Sequence, residues 1–522
     1  MDFATELAAF DPSPERLAWM EKRVGGLVEG ARTRATEIHW RDVKIEKLTL
    51  ELAHLRRMKF GVKSEALIAG NRDLFDETLA ADLAACEARL AEERQAAEMG
   101  PHQPLPEKPK RERAGRQPLP AQLPRVEHRH EPETCTCGQC GQALVLIGED
   151  VTEKLNIVPA EFFVDRHIYP KYACRPCATV TAAPAVPSVI DGGLAAPALL
   201  AWVMVGKYID HLPLYRLEQQ AARSGVSLSR STLADWVGRI GVALEPLGDR
   251  LAELLRKGTM LHADETPVQQ LDPGKGKTRR AYLWAYRSNT LGNDPPIVVF
   301  DYQPGRAGVH AANFLGDWTG ALMVDDFAGY KRLFRGEAIE LACMAHARRK
   351  FFDLHKANGS PIAEEAVCRI GELYAIEAEA KGKTPEDRAL LRKTYSKPRL
   401  DALQLWLLHT RKSVADGGAL AKAIDYSLKR WAAFARYAEN GAYPIDNNPV
   451  ENAIRPICIG KKNWLFAGSE AAGKRAAVIQ SLLQTACLNG IEPMAWLTDS
   501  LEKLPSWPNR RIDELLPIKQ PV

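Results

Sequence analysis

The chain contains 522 residues, which is long enough for several domains. Hydrophobic residues make up 46% and charged residues 26%, a composition that supports folded cores and excludes a mainly disordered chain. The net charge of +4 permits a nucleic-acid partner without requiring one, because the placement of surface charge matters more than its sum.

The sequence predicts a cytoplasmic protein with no membrane partner. No apolar run reaches the roughly 20 residues of a membrane span. Residues 1–20 carry acids and prolines instead of the basic and apolar stretches of a signal peptide. The 10 cysteines fit a reducing compartment if some of them bind metal.

The first predicted element is a helical, leucine-zipper-like region at residues 30–100. Apolar side chains recur there at heptad spacing, at Ile45, Leu48, Leu52 and Leu55. This pattern fits either a coiled coil that makes the protein a homo-oligomer or an ordinary amphipathic helix. A basic, proline-rich linker follows at 101–125, and its cationic run is either solvated or in contact with phosphates.

The next region, residues 126–185, has the pattern of a zinc-binding domain. Two C-x-x-C pairs provide four thiolates for one tetrahedral ion, at Cys137, Cys140, Cys174 and Cys177. Residues 154–172 between the pairs alternate apolar and polar side chains, which predicts the strands of a small ribbon. Cys135 leaves the register of the first pair open, because it can replace Cys137.

Residues 195–250 are predicted to be helical, with a helix-turn-helix-like DNA-binding region inside them. The apolar pattern breaks at 224–226, where Gly225 suits a tight turn, and Ser229 suits the start of a second helix. Arg230, at the start of that helix, is a candidate DNA contact. An ordinary helical hairpin fits the same pattern.

Residues 255–475 are predicted to form an RNase H-like α/β catalytic domain. Short apolar runs at 260–263, 281–287, 297–301 and 321–324 predict strands, and residues 360–440 predict a large helical insertion. Acids follow the first and last of these runs, and a third acid opens a later helix. The residues alone leave Asp264 or Glu265, and Asp325 or Asp326, open.

Carboxylates that converge in a fold repel one another unless a cation lies between them, so we expect a divalent metal there. Two such ions can stabilise the attacking and leaving oxygens of a phosphodiester displacement. Cationic and aromatic side chains near these acids are candidate DNA contacts: His346, Arg348, Arg349, Arg455, Lys461, Lys462 and Trp464. Each of them also fits a structural or solvated position, and Cys343 with His346 has no evident partner pair for a second zinc.

Four segments resemble the IS66-type transposases, a family of the DDE group. They are GRQPLPAQLPR at 115–125, CMAHARRKFF at 343–352, NNPVENAIRP at 447–456 and GKKNWLFAGS at 460–469. The resemblance implies an Asp264, Asp325 and Glu451 catalytic triad that binds Mg²⁺ or Mn²⁺, with cleavage and transfer of DNA strands. It also implies transposon ends and target DNA as partners, together with small accessory proteins of the same element.

Other function classes remain compatible with the residues. One is a zinc-containing DNA-binding regulator with an inactive RNase H-like core, and another is a metal-dependent nuclease that never joins strands. The intact acids argue against the regulator. The C-terminal extension at 480–522 is helical and then interrupted by prolines, and we expect it to serve packing or partner contact. The predicted fold class is therefore multidomain α/β.

Overall fold

The computed structural model describes residues 123–519, apart from 132–134, 138, 159–160, 273–274 and 293, and in addition residues 26, 30 and 119. The predicted leucine-zipper-like region and almost all of the linker lie outside the described residues. The coiled coil and the homo-oligomer therefore stay predictions.

The first folded unit is a four-stranded sheet. Strands β2 (Val145–Val158) and β3 (Glu161–Cys174) form a long antiparallel hairpin. Strand β1 (Arg125–Arg129) pairs in parallel with β3, and the short β4 (Thr179–Ala182) pairs antiparallel with its end. The predicted ribbon strands at 154–172 fall inside this hairpin.

Four helices follow, and they are α1 (Pro197–Tyr208), α2 (Leu214–Arg223), α3 (Arg230–Ala243) and α4 (Glu245–Leu255). Gly225 has a φ of +76° in the turn between α2 and α3, and the Ser229 side chain accepts a hydrogen bond from the Thr232 N–H. The predicted helix-turn-helix shape is therefore present. Most of α3 is buried, however, which leaves mainly its N-terminal end exposed to a ligand.

A five-stranded sheet has the order β7-β6-β5-β8-β9. Its strands are β5 (Met260–Asp272), β6 (Lys277–Ser288), β7 (Val298–Gln303), β8 (Ala321–Val324) and β9 (Ile339–Ala342). Strand β6 pairs antiparallel with both β5 and β7, whereas β8 pairs in parallel with β5, and β9 pairs in parallel with β8.

Strand β5 is longer than its apolar run predicts. Beyond Ala263 the sequence becomes polar, but β6 pairs with β5 as far as Asp272 and keeps it extended. Asp264 consequently lies inside the strand, and the expectation that it ends a strand is wrong. Asp325 does follow the last residue of β8, as predicted.

Helices cover both faces of this sheet. One face packs against α5 (Gly308–Leu315) and the 3₁₀ helix Ala328–Arg335, which enclose Trp284 and Tyr286. The other face packs against α12 (Asn448–Trp464) through Val450, Ala453, Ile454 and Ile457. This second face carries the site described below.

A helical region with its own apolar core separates β9 from α12. It contains α6 (Met344–Asn358), α7 (Pro361–Glu379), α8 (Pro385–Leu391), α9 (Lys397–Ser413), α10 (Ala419–Lys429) and α11 (Trp431–Ala435), with a π-helical turn at Arg392–Ser396. The Arg392 guanidinium pairs with Glu377 and donates to the carbonyls of Tyr437, Asn440 and Tyr443. The insertion thereby holds the loop that leads into α12.

The C-terminal helices α13 (Glu470–Leu488) and α14 (Pro493–Lys503) complete the fold. Helix α13 lies along the edge strand β7, where the Ser481 hydroxyl accepts from the Phe300 N–H at 2.8 Å and the Thr485 hydroxyl from the Val298 N–H at 3.1 Å. The expected boundary between core and extension at 475–480 falls within this helix, so the two are continuous. No helix in the described part of the chain is long and apolar enough to cross a membrane.

Candidate functional site

The four predicted zinc ligands come together at one end of the small sheet. The sulfurs of Cys137, Cys140, Cys174 and Cys177 all lie within 4.8 Å of one another. The Gly141 N–H donates to the Cys137 carbonyl at 2.9 Å and has a φ of +70°, which closes the first turn. Cys135 is exposed and lies outside this cluster, so it is Cys137 whose sulfur lies with those of Cys140, Cys174 and Cys177.

This donor set fits zinc. Four thiolates at tetrahedral spacing are the ligands of a closed structural zinc site. Hydrogen bonds from the backbone N–H groups of Gln139 and Cys140 lower the pKa of Cys137, whereas hydrogen bonds with the other three thiols raise the pKa of Cys177 well above its ordinary value. The metal-free cluster therefore favours a first thiolate at Cys137, and a bound metal must displace the remaining protons.

Asp264 and Asp325 lie on neighbouring parallel strands. His262 of β5 pairs with Met323 of β8. Asp264 and Asp325 each follow two residues later in these parallel segments, so they lie beside each other. Adjacent strands run about 4.8 Å apart, and residues in register point to the same face of the sheet. His262 contacts Asn447, the residue just before α12, and Thr266 contacts Cys458 within α12. Asp264 lies between them on the strand and therefore on the same face.

The neighbouring acids are engaged elsewhere. Glu265 points to the opposite face, where it accepts hydrogen bonds from Arg306 at 2.7 Å and from the Tyr330 hydroxyl at 2.8 Å. Asp326 is exposed and lies 3.7 Å from the Arg430 guanidinium. This arrangement supports Asp264 and Asp325 as the pair on the α12 face. The region between these two acids and Glu451 is called the carboxylate pocket below.

Asn447, which precedes α12, fixes this helix to β5. Its side chain is buried, its Oδ1 lies 3.0 Å from the His262 Nδ1, and its Nδ2 donates to the Ala263 carbonyl at 2.9 Å. Burial lowers the pKa of His262 to about 4, so this ring is neutral. From β6, Arg287 donates to the Pro449 carbonyl. These contacts set the position of Glu451 in the first turn of α12.

Glu451 faces the start of α6. Its Oε1 lies 3.6 Å from the His346 Nδ1, and its Oε2 lies 3.8 Å from the Arg349 guanidinium. Glu451 also forms a cluster with Cys343 and His346 in which the three donor atoms lie within 4.8 Å of one another. Among the described residues, Asp264, Asp325 and Glu451 do not form such a cluster by themselves.

The three acids nevertheless interact electrostatically. Burial raises the pKa of Asp264, and the negative charges of Glu265, Asp325 and Glu451 act in the same direction, while a hydrogen bond from the Glu265 N–H lowers it. The net result is a pKa of about 7. Within the described residues, the negative charge around Asp264 is therefore not fully balanced by cations. A bound cation would stabilise the ionised form of Asp264.

The predicted DNA contacts occupy different environments. Arg349, Arg455 and Lys462 are exposed, and Arg348 is half-buried over the Phe352 ring. Lys461 donates to the Thr266 hydroxyl and the Pro267 carbonyl, both at 3.2 Å, which ties α12 to β5.

Two further candidates also have contacts within the protein. Trp464 is half-buried and packs with the apolar residues between α12 and the sheet, which favours its interpretation as a core residue. Arg230, at the start of α3, forms an ion pair of 2.9 Å with Glu218.

The residues that position Asp264, Asp325 and Glu451 were not predicted from the sequence. His262 lies within an apolar run, although a histidine two residues before a candidate acid is a usable signal. Asn447 entered only as part of a family motif, although an asparagine before a helix is a common cap. No feature of the sequence indicates that Arg287 contacts the start of α12.

Family profiles match most of the chain. The profile described as "Transposase IS66 family" matches residues 192–475, and "zinc-finger binding domain of transposase IS66" matches 134–178. The "IS66 C-terminal element" matches 481–518, and "Transposase C of IS166 homeodomain" matches 47–127.

Relatives with similar sequences occur in Sinorhizobium fredii. The uncharacterized protein y4qI is 38% identical over 96% of this chain and 94% of its own length. The uncharacterized protein y4jD is 39% identical over 76% of this chain and 81% of its own length. The resemblance seen in the sequence motifs is thus confirmed, and the chain belongs to the IS66 transposase family.

Proposed function

We propose that this protein is a DNA transposase of an insertion sequence, which binds transposon ends and cleaves and transfers DNA strands at Asp264, Asp325 and Glu451. One observation carries the proposal. The parallel register of β5 and β8 places Asp264 beside Asp325 on the face where the helix of Glu451 begins. Acids from three separate segments thus face one pocket.

The topology supports an RNase H-like core. Numbered from β5, the five strands have the order 3-2-1-4-5, with the first three antiparallel and the last two added in parallel. The helical insertion lies between the second acid and the third. We propose that it serves to hold the loop before α12, because Arg392 donates to three carbonyls of that loop.

The acids fit magnesium, or manganese in its place. Carboxylate oxygens are the ligands that these hard cations prefer, and the buried Asp264 has a raised pKa that a cation would lower. Held by Asp264, Asp325 and Glu451, two such ions would activate the attacking oxygen and stabilise the leaving oxygen. Ligands of different ions need not lie within a single cluster, which is consistent with the separation of Glu451 from the two aspartates.

The reaction has two displacements. In the first, water attacks a phosphodiester at the transposon end, the bond from phosphorus to the 3′ oxygen breaks, and that oxygen leaves as a 3′-hydroxyl. In the second, this hydroxyl attacks a phosphodiester of the target and replaces its 3′ oxygen. In both steps Asp264, Asp325 and Glu451 would hold the cations that bind the reacting phosphate.

Cationic side chains around the pocket suit the DNA backbone. His346 and Arg349 lie beside Glu451, where an arginine can make bidentate hydrogen bonds to phosphate. Arg455 lies one helical turn beyond Glu451, and Lys462 is exposed near the end of α12. We propose that these side chains guide a DNA end into the pocket and that Arg348 and Arg230 contact it further away. Self-association through the N-terminal region and accessory proteins of the element belong to the same proposal.

The decisive experiment uses labelled duplexes that carry the inverted ends flanking the gene, incubated with the full chain and Mg²⁺. Asp264→Asn keeps the size of the side chain and removes its charge, so we expect at least about a 1,000-fold loss of cleavage, equivalent to about 4 kcal/mol in the barrier. Asp272→Asn, at the far end of the same strand, is the matched control and should cut like the parent. Equal cleavage by Asp264→Asn and the parent would show that the metal-site assignment is wrong.

A further inference from the structure

A second group of potential metal ligands lies at the start of α6. Cys343 and His346 approach Glu451, which follows them by about a hundred residues in the chain, and the three donor atoms lie within 4.8 Å of one another. The sequence offers Cys343 and His346 without a partner, and the fold supplies the third ligand. Sulfur-to-nitrogen and sulfur-to-oxygen separations of this size are compatible with tetrahedral coordination of one ion.

Two donor atoms of this group lack a hydrogen bond. His346 Nδ1 and Glu451 Oε1 are buried and have no hydrogen-bond partner among the described residues. Their separation of 3.6 Å is too long for a hydrogen bond between them. A buried polar atom without a partner destabilises the fold, and a shared ion would remove this cost for both atoms.

The Cys343 sulfur lies where backbone donors can stabilise a metal-bound thiolate. It receives the Asn447 N–H at 3.2 Å, and the first N–H groups of α6 follow it directly. Backbone donors and a helix N-terminus both stabilise a thiolate. In the metal-free chain burial raises the pKa of Cys343 to about 12, so a metal must displace the thiol proton when it binds.

We propose that Cys343, His346 and Glu451 form a second zinc site, which draws Glu451 away from Asp264 and Asp325. A thiolate and an imidazole select a borderline-soft ion such as Zn²⁺ over Mg²⁺. Three protein ligands leave one position open to solvent. Arg349, 3.8 Å from Glu451, opposes the positive charge of an ion, but it is 59% exposed and free to turn into solvent.

The consequence for catalysis rests on the proposed function, whereas the zinc site itself does not. Magnesium at the triad needs the Glu451 carboxylate, and zinc at the second site uses the same group. Zinc would therefore compete with magnesium, and the protein would be inhibited by zinc at concentrations above those that fill the four-cysteine site.

Zinc stoichiometry tests the site without any measurement of activity. The full chain is stripped of metal and titrated with Zn²⁺ against a chromophoric chelator. We expect Cys343→Ser and His346→Ala each to bind one zinc fewer per chain than the parent. Removal of a residue that only hydrogen-bonds to a metal ligand weakens metal binding ~10–100-fold, so the loss of one of three ligands should weaken zinc binding at least tenfold. Cys368→Ser replaces an exposed cysteine in α7 and should bind as the parent does.

Unchanged stoichiometry in both variants would overturn the zinc site. His346→Ala decides the question if Cys343→Ser fails to fold, since His346 lies at the surface of α6 and 29% of its side chain is exposed.

A magnesium titration of cleavage by the parent, with the four-cysteine site filled, then tests the competition. One further equivalent of zinc should raise the magnesium requirement at least tenfold, and an unchanged requirement would remove the competition. Absence of cleavage at any magnesium concentration would count against the proposed function and leave the stoichiometry result standing.

Discussion

The zinc ribbon and the carboxylate pocket are two sites of the same chain that are built in different ways. The ribbon takes its ligands from two tight turns at one end of a single hairpin, and each turn is complete within a few residues. The pocket takes its acids from two neighbouring strands and a distant helix, with the contact between His262 and Asn447 joining residues 185 apart. Local spacing therefore defines the first site, and packing of the whole domain defines the second.

The largest expected effect is the loss of zinc from the ribbon. Zinc contributes about 10–16 kcal/mol of binding free energy to small domains of this kind, and that energy is also folding energy. We expect Cys174→Ser to unfold β2 and β3 while β5 and β6 stay folded. Hydrogen exchange measured by mass spectrometry should show loss of amide protection in the ribbon alone.

The control for this change is Cys135→Ser, which replaces the exposed cysteine outside the cluster. It should keep full protection in both regions. Protection of β2 and β3 that survives Cys174→Ser would mean that the ribbon folds without its metal, and the contrast between the two sites would fail.

The next effect concerns Asp325 and its neighbour Asp326. Asp325→Asn removes a proposed metal ligand, so cleavage of a labelled transposon-end duplex in Mg²⁺ should fall at least about 1,000-fold. Asp326→Asn changes the adjacent side chain, which lies near Arg430, and should leave cleavage within about threefold of the parent. The opposite result would exchange the two assignments.

A smaller effect is expected where the helix of Glu451 is held against β5. Asn447→Ala leaves His262 Nδ1 and the Ala263 carbonyl without their partner, and should destabilise the protein by about 3 kcal/mol. Chemical denaturation measures this loss. Asn452→Ala, at an exposed position of α12, is the control and should change stability by less than about 0.5 kcal/mol. Similar stabilities of the two variants would argue against the role of Asn447.

The smallest effect is a pH dependence caused by Asp264. Its pKa is about 7 in the folded chain, whereas the ordinary aspartate value of 3.8 applies once the chain unfolds, so the unfolded chain loses the proton first. Stability of the metal-free protein should therefore fall as the pH rises from about 4 to about 7 and then level off.

Asp264→Asn removes this fall in stability with pH. In the absence of metal, the free energy of unfolding of the variant should exceed that of the parent by at least about 2 kcal/mol at pH 8, but by little at pH 4. Denaturation at the two pH values measures the difference. Added Mg²⁺ should narrow the gap at pH 8, because it stabilises the ionised carboxylate of the parent. A gap that is the same at both pH values would contradict the raised pKa.

The zinc ligands could be predicted from the sequence because the short spacing within each cysteine pair is enough to define the site. Two residues between paired cysteines fix a turn that brings both sulfurs to one ion. Only the choice between Cys135 and Cys137 needed the structure. The turn at Cys137 is closed by the hydrogen bond from the Gly141 N–H to the Cys137 carbonyl, and residue types alone do not show that this hydrogen bond forms.

The acids could be named from their flanking residues, but their arrangement could not be predicted. The length of β5 depends on its pairing with β6, which an apolar run does not reveal because the paired half of the strand is polar. The environment of Glu451 depends on α6, which precedes it in the chain by about a hundred residues and is separated from it by the long helical insertion. The burial of α3 was not foreseen either, because part of it comes from α13, which lies far from α3 in the sequence.

The contact between α13 and β7 has a practical consequence for expression of the protein. The match to the catalytic family profile ends at residue 475, but Ser481 and Thr485 lie beyond it and satisfy backbone groups of the outermost strand. A fragment that stopped at this limit would present bare N–H groups on β7 to other molecules. Open strands of this kind add strands from neighbouring chains, so such a fragment should aggregate. A fragment that keeps α13 and also the buried core residues Leu497, Leu501 and Leu515 should stay monodisperse.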